Sequence, residues 1–239
     1  MVQRRARQVH QKEERRQEIL TAALELFRTS SFQAITMAEI AQKSRLGKGT
    51  IFIYFNTKEK LFLALAEEEF LGFYEAMDEG LSSSKTPLDA GSLTSLVVEA
   101  LQSRPQLPKL LSILHTVLEH NVDRLTILRF KEFLANRAVR TARNLEHRMP
   151  FLAPGQGLEL VFQTHVLILG VWQISDPSPV VKGLLEAPGL HIFDIPFRPF
   201  FERTLMSLIR GLEHPRTFQP QRSLFDEPTN HQGRERVLK

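Results

Sequence analysis

The sequence predicts an all-α protein: a small three-helix head carrying a helix-turn-helix, followed by a larger α-helical domain. Three observations carry this. The stretch from Thr36 to Lys60, TMAEIAQKSRLGKGTIFIYFNTKEK, divides at helical spacing into two short helices, a tight turn and the start of a third helix. From Lys58 onwards apolar residues recur every three or four positions over long segments, the spacing of one buried helix face. At 239 residues the chain also exceeds the usual size of one core.

Within the head, Thr36 followed three residues later by Glu39 is a capping-box pair, each side chain satisfying the other's free backbone amide, so a helix starts at Met37. Met37, Ile40 and Ala41 fall on one side of it, Glu39, Gln42 and Lys43 on the other. The pattern stops at Ser44, and Arg45, Leu46 and Gly47 leave room for a turn only. A second helix begins near Lys48, with Ile51 and Phe55 one turn apart on its buried side. Two helices so joined make a helix-turn-helix whose second member is short and exposed enough to enter a DNA major groove. Upstream, Ile19, Leu20, Ala23, Leu24 and Phe27 give a supporting helix one buried stripe from Glu13 to about Thr29. Residues 1–12, with Arg4, Arg5, Arg7 and Lys12 and almost no apolar anchor, read as a basic arm without fixed structure, able to reach a minor groove.

Charge is distributed unevenly. Residues 1–60 hold 12 Lys and Arg against 6 Asp and Glu, a net +6, whereas the remainder is net −2. A polyanion is the natural partner of the first part, because Lys and Arg replace condensed counterions on DNA. Taken without the helix-turn-helix, such a basic run is simply solvated. The absence of Cys excludes disulfides, thiolate metal sites and a Cys nucleophile and suits a reducing cytoplasm. The basic, polar N-terminus lacks the apolar stretch of a secretory signal, and no run of about 18 apolar residues marks a membrane span.

The segment GKGTIFIYFNTKEKLF resembles the recognition helix and following turn of the tetracycline-repressor (TetR) family of bacterial transcriptional regulators, and the likeness extends from about Glu14 to Phe62. The resemblance implies a DNA-binding head at 13–60, a ligand-binding and dimerisation domain at 61–213, and repression of a double-stranded DNA operator relieved by a small molecule. It places Thr36, Arg45, Lys48, Gly49, Thr50, Phe52, Ile53, Tyr54 and Lys58 at the DNA: Lys48, Thr50, Tyr54 and Lys58 on phosphates, Gly49 and Phe52 nearest the bases. Three positions depart from the family pattern. Arg45 stands where glycine is common, so a residue with a side chain must take the turn's backbone, and a phosphate contact by its guanidinium would offset the strain. Phe52 and Ile53 stand where tyrosine and histidine are common, which shifts readout towards apolar contact with thymine methyls.

In the larger domain a long helix runs from Lys58 to about Ser83, a Ser-, Pro- and Gly-containing loop spans 82–92, and further helices follow to His120, from Asp123 to Arg148, near 158–174 and near 197–212. A short helical candidate lies around Val180 to Glu186, and 214–239 form a polar tail. The segments 158–174 and 197–212 are apolar nearly all round, and the resemblance supplies the cover: their copies in a second subunit, as a four-helix bundle. Phe73, Tyr74, His115, Phe130, Phe133, His165 and Trp172 are able to line an apolar cavity with a few polar groups, although aromatics at this spacing also serve as plain core. His115 and Glu119 are two metal ligands without a third, so no metal or cofactor is expected. Three functional classes come into question: a ligand-responsive regulator; an architectural or adaptor protein, marked by a solidly packed larger domain; and an enzyme. The last is disfavoured, since no Ser-His-Asp order, Gly-rich phosphate loop or metal triad stands out.

Overall fold

The computed structural model describes residues 2–83 and 86–213, with the helical backbone alone for 2–9. Its helices are α1 (Val2–Thr29), α2 (Met37–Lys43), α3 (Lys48–Tyr54), α4 (Lys58–Ser83), α5 (Ala90–Ser103), α6 (Leu107–Ile113), α7 (Arg124–Arg148), α8 (Gln156–Ser175), α9 (Pro179–Leu184) and α10 (Phe197–Glu213). A π-helical turn, Leu114–Leu118, continues α6, and a 3₁₀ turn, Leu190–Phe193, follows α9. No strand occurs among the described residues. The tail expected at 214–239 and the loop residues Ser84 and Lys85 lie outside them.

Local chemistry sets several of the boundaries. The Thr36 hydroxyl accepts from the Glu39 amide at 3.2 Å while the Glu39 carboxylate accepts from the Thr36 amide at 2.7 Å, the reciprocal cap anticipated from the sequence. Asp89 caps α5 through the Ser92 amide at 2.7 Å, and Asp123 caps α7 through the Thr126 amide at 3.1 Å.

The sequence reading needs correction at the N-terminus. The arm expected at 1–12 is helical backbone continuous with α1 from Val2. Residues 2–12 contain neither Gly nor Pro and are rich in Gln and Arg, so a helix anchored at Ile19 and Leu20 propagates backwards with little cost per residue. The side chains of Arg4, Arg5 and Arg7 lie outside the described residues.

The core is continuous from head to body along α4. At the head end Phe62, fully buried, meets Phe27 edge-on at 5.2 Å and Phe32 at 5.0 Å, which ties α1 and the α1–α2 connection to α4. Further along, α4 packs on α5, α6 and α7. Polar clamps join the two parts. Lys109 of α6 donates to the Phe27 and Ser30 carbonyls at 2.6 and 3.0 Å, taking up free acceptors at the end of α1. Lys60 reaches Asp123 at 2.6 Å, and Arg16 reaches Glu68 at 3.0 Å. Arg104 lies across Gly72 towards the buried Glu69, 3.5 Å away; a Cβ at Gly72 would fall 2.1 Å from the guanidinium.

By length and composition α8 is apolar enough to cross a bilayer. Its Leu160, Ile168 and Val171 are nevertheless buried, and the helix packs on α7, α6 and α10, so one face of it belongs to the core.

Candidate nucleic-acid interface and effector cavity

Reading a duplex requires a short helix held from behind and clear in front. Ile51, fully buried, anchors α3, with Phe55 buried just beyond its end. Opposite Ile51, one turn apart, stand Gly49 and Ile53; Ile53 is 76% exposed, and no atom lies within 4 Å of a Cβ built on Gly49. Phe52, 43% exposed, flanks them, so the most exposed crest of α3 is formed by Gly49 and Ile53. Lys48 is exposed at the start of α3, and Thr50 and Tyr54 are half-buried on its sides. Thr36 is exposed, but its hydroxyl is committed to the α2 cap, donating to Glu39 at 2.8 Å.

Arg45 adopts φ +56°, the left-handed region that its place in the turn foreshadowed, and its side chain is exposed. Arg45→Gly is expected to change stability by no more than about 1 kcal/mol, since relief of the left-handed backbone is offset by the greater chain entropy of unfolded glycine. DNA affinity should fall, with a salt dependence shallower by about one phosphate contact. A salt titration of DNA binding with an unchanged slope would remove Arg45 from the phosphate set.

Lys58 requires the opposite correction. Its ammonium donates to the Phe32 and Ile35 carbonyls at 2.7 and 2.8 Å and lies 4.2 Å from the Phe32 ring centre. Burial lowers its pKa, with Glu59 and Glu39 opposing. Two of three donors are thus spent on the connection before α2, so Lys58 is a clamp of the head and leaves the phosphate set.

In the larger domain α4 to α8 enclose a central cavity of about 30 Å3, lined by Phe73, Met77, Leu111 and Ile168 with Tyr74, Thr141, Thr164 and His165 as polar members. Burial, reinforced by the Asp78 carboxylate, pushes the Tyr74 hydroxyl up to about 12, so it stays a neutral phenol. Asp78 is itself buried and accepts from Thr141 and Asn144, both at 2.9 Å. His165 stacks on Phe70 at 5.6 Å; burial, with smaller contributions from His115 and Lys131, brings its pKa down to about 4, leaving a neutral ring.

Phe73, Tyr74 and His165 line this cavity; His115, Phe130, Phe133 and Trp172 do not. The π-helical turn carries an exposed His115 beyond the wall, 6.0 Å from His165, with its Nδ1 3.2 Å from Glu119. Phe130 is core, packed against Phe70 at 6.3 Å, and Phe133 is half-buried with Arg137 5.8 Å from its ring centre. Trp172 lines a separate aromatic slot of about 170 Å3 between α5, α6, α8 and α10.

Two family models match the chain: "Bacterial regulatory proteins, tetR family" over residues 19–65, and "Tetracyclin repressor-like, C-terminal domain" over residues 67–216. The chain belongs to the TetR family. It is accordingly a DNA-binding transcription regulator, and the head described above is the family's reading unit. Among relatives, the fatty acid metabolism regulator protein of Bacillus subtilis is 29% identical over 76 residues, covering 32% of this chain and 39% of that one. The HTH-type transcriptional repressor AcnR of Corynebacterium efficiens is 38% identical over 64 residues, 27% of this chain and 34% of that one. The matches thus span well under half the length of these relatives. The multidrug binding protein EbrR, solved with imidazole, shares the TetR fold with a TM-score of 0.53 at 19% identity, over 82% of this chain and 94% of that one.

Sequence reasoning did not single out Lys109, which links this TetR body to its head, Arg104 and Glu69, which pair within the body, or Thr141 and Thr164, which face the central cavity. The two threonines carried a signal: polar residues at buried positions of otherwise apolar helix faces.

Proposed function

We propose that the protein is a homodimeric repressor that binds a pseudopalindromic DNA operator in the cytoplasm and is released from it by a small apolar molecule. The observation that carries the DNA reading is the crest of α3, with Gly49 and Ile53 clear of the protein, Ile51 buried behind them, and exposed Lys48 and Arg45 alongside. Support for repression comes from a relative named as a transcriptional repressor.

Dimerisation is supported by an apolar stripe along the outside of α8. Phe162, Val166 and Ile174 are 47, 66 and 46% exposed and spaced at multiples of four, with Gly170, whose Cβ position is open, between the last two. On α10, Ser207 and Gly211 offer a small-residue surface for close approach. Two copies paired through these helices place two α3 crests about one DNA turn apart, ~34–36 Å.

The effector reading rests on the central cavity. Its wall is apolar and its polar members neutral, which suits an uncharged molecule. A neighbour of the same fold is named a multidrug binding protein. At about 30 Å3 the cavity holds one or two waters, so an effector of ordinary size must open it and spread α4 from α8. Coupling of ~1–3 kcal/mol would suffice for a useful switch. The same small volume favours the second reading, a regulator of this architecture without an effector.

Selection of bound sequences from a random DNA pool tests the core of the proposal. A two-fold site with half-sites one turn apart is the expected product, whereas a single asymmetric half-site would overturn the dimer. Val166→Asp puts a charge in the α8 stripe and is expected to halve the mass measured by light scattering; an unchanged dimer would place the interface elsewhere.

A further inference from the structure

The aromatic slot holding Trp172 is distinct from the central cavity and more than five times larger, 170 against 30 Å3. Trp172 meets Phe197 edge-on at 5.8 Å, and Phe197 lies parallel to Phe201, 5.6 Å away with planes 8° apart. Pro105 and Pro108, at the corner between α5 and α6, form part of the wall, and the exposed Gln102 sits at the rim. The one charged lining residue, Arg198, donates its Nε proton to Glu202 at 2.9 Å. No hydrogen bond among the described residues uses the Gln102 amide.

We propose that this slot binds a small uncharged aromatic molecule bearing one hydrogen-bonding group, and that its occupancy is transmitted to the DNA-reading head through the α5–α6 corner. Roughly 150 Å3 of dry apolar space accepts a single benzene-sized ring, so one substituted ring enters the slot and presses on its walls. Edge-on and parallel aromatic neighbours offer complementary faces to a further ring. A charged ligand would lose its water and find no free counter-charge, since Arg198 is already paired. Gln102 supplies a donor and an acceptor for a hydroxyl or carbonyl at the mouth.

The route to the head is short. Pro108 of the wall precedes Lys109, whose ammonium holds the Phe27 and Ser30 carbonyls at the end of α1. Pro105 follows Arg104, which lies over Gly72 towards Glu69 of α4. A ring wedged between Trp172 and the two prolines therefore displaces a corner bonded to α1 on one side and to α4 on the other. This transmission rests on the DNA-regulator reading; the binding itself does not.

Trp172 is the chain's single tryptophan, so its fluorescence reports the slot directly. Titration of the full-length protein with benzyl alcohol, excited where the alcohol does not absorb, is expected to change Trp172 emission saturably. Gln102→Phe, an exposed substitution that plugs the rim, should weaken the response tenfold or more. Thr164→Leu, which fills the central cavity, should leave it intact. A response without saturation, or one lost in Thr164→Leu and kept in Gln102→Phe, overturns the site. With DNA from the random-pool selection, benzyl alcohol is expected to change the parent's affinity at least threefold and that of Lys109→Met not at all, while both proteins keep the Trp172 response. Saturable binding with no effect on the parent's DNA affinity overturns the transmission. If the pool yields no bound DNA, the regulator reading fails, and the Trp172 titration still decides the site.

Discussion

Phe62→Ala is expected to unfold the DNA-reading head while leaving the larger domain's helices in place. Phe62 is fully buried; it is the ring on which Phe27 of α1 and Phe32 of the α1–α2 connection both converge, at 5.2 and 5.0 Å. Truncating a buried Phe costs about 3–5 kcal/mol, the lost transfer free energy plus the void left behind. The head is small, with short α2 and α3 offering little surface from which to repack. The loss should therefore fall on the head, with Ile19, Leu20 and Ile51 losing protection first. Amide exchange by residue checks this: fast exchange across α1–α3 with slow exchange kept in α7 and α8 is the expected pattern. Equal acceleration throughout would show that the two parts unfold as one unit.

The second large effect concerns acid. His165 is held neutral by burial, its pKa about 4 against 6.5 for an ordinary histidine. A depressed value means that the folded state resists the proton which the unfolded chain accepts. The stability is thus fully present above pH 6.5 and is lost as the pH falls from about 6.5 to 4, by about 3 kcal/mol in all. His165→Phe, which keeps an aromatic face against Phe70, should remove this part of the loss. Denaturant unfolding of parent and variant at pH 7 and pH 4 gives the comparison. If both lose the same stability on acidification, another group carries the acid sensitivity.

Much of the head was legible because its signals are local. The Thr36–Glu39 cap depends on two side chains three residues apart, and the left-handed backbone at Arg45 was implied by the family resemblance, which has glycine at that place in the turn. The buried stripe of α1 and the anchor at Ile51 follow from helical spacing. Lys58 was misread because a long flexible side chain at the head of a helix can turn to solvent or to a carbonyl, and only the position of Phe32 and Ile35, more than twenty residues away, decides between them. The cavity was legible only in part for a similar reason. Phe73 and Phe130 have the same periodicity, yet one lines the central space and the other fills core against Phe70. His165 and Trp172 do lie on related turns of α8, but that helix passes different neighbours along its length, so the two rings open into different spaces. Which helix lies opposite a given turn is a property of the tertiary packing, and no local spacing encodes it.

For any signal that reaches it, α4 is a stiff rod. It is an unbroken helix of 26 residues whose first turns hold Leu61 and Phe62 in the head and whose middle turns hold Phe73 and Met77 at the central cavity. At 1.5 Å per residue it is a lever about 39 Å long. Tilting such a rod by about 5° about one end carries the other through roughly 3 Å, close to the ~3.4 Å step between successive base pairs. A disturbance no larger than a rotamer change at one end is thereby geared up to the pitch of the ladder being read at the other.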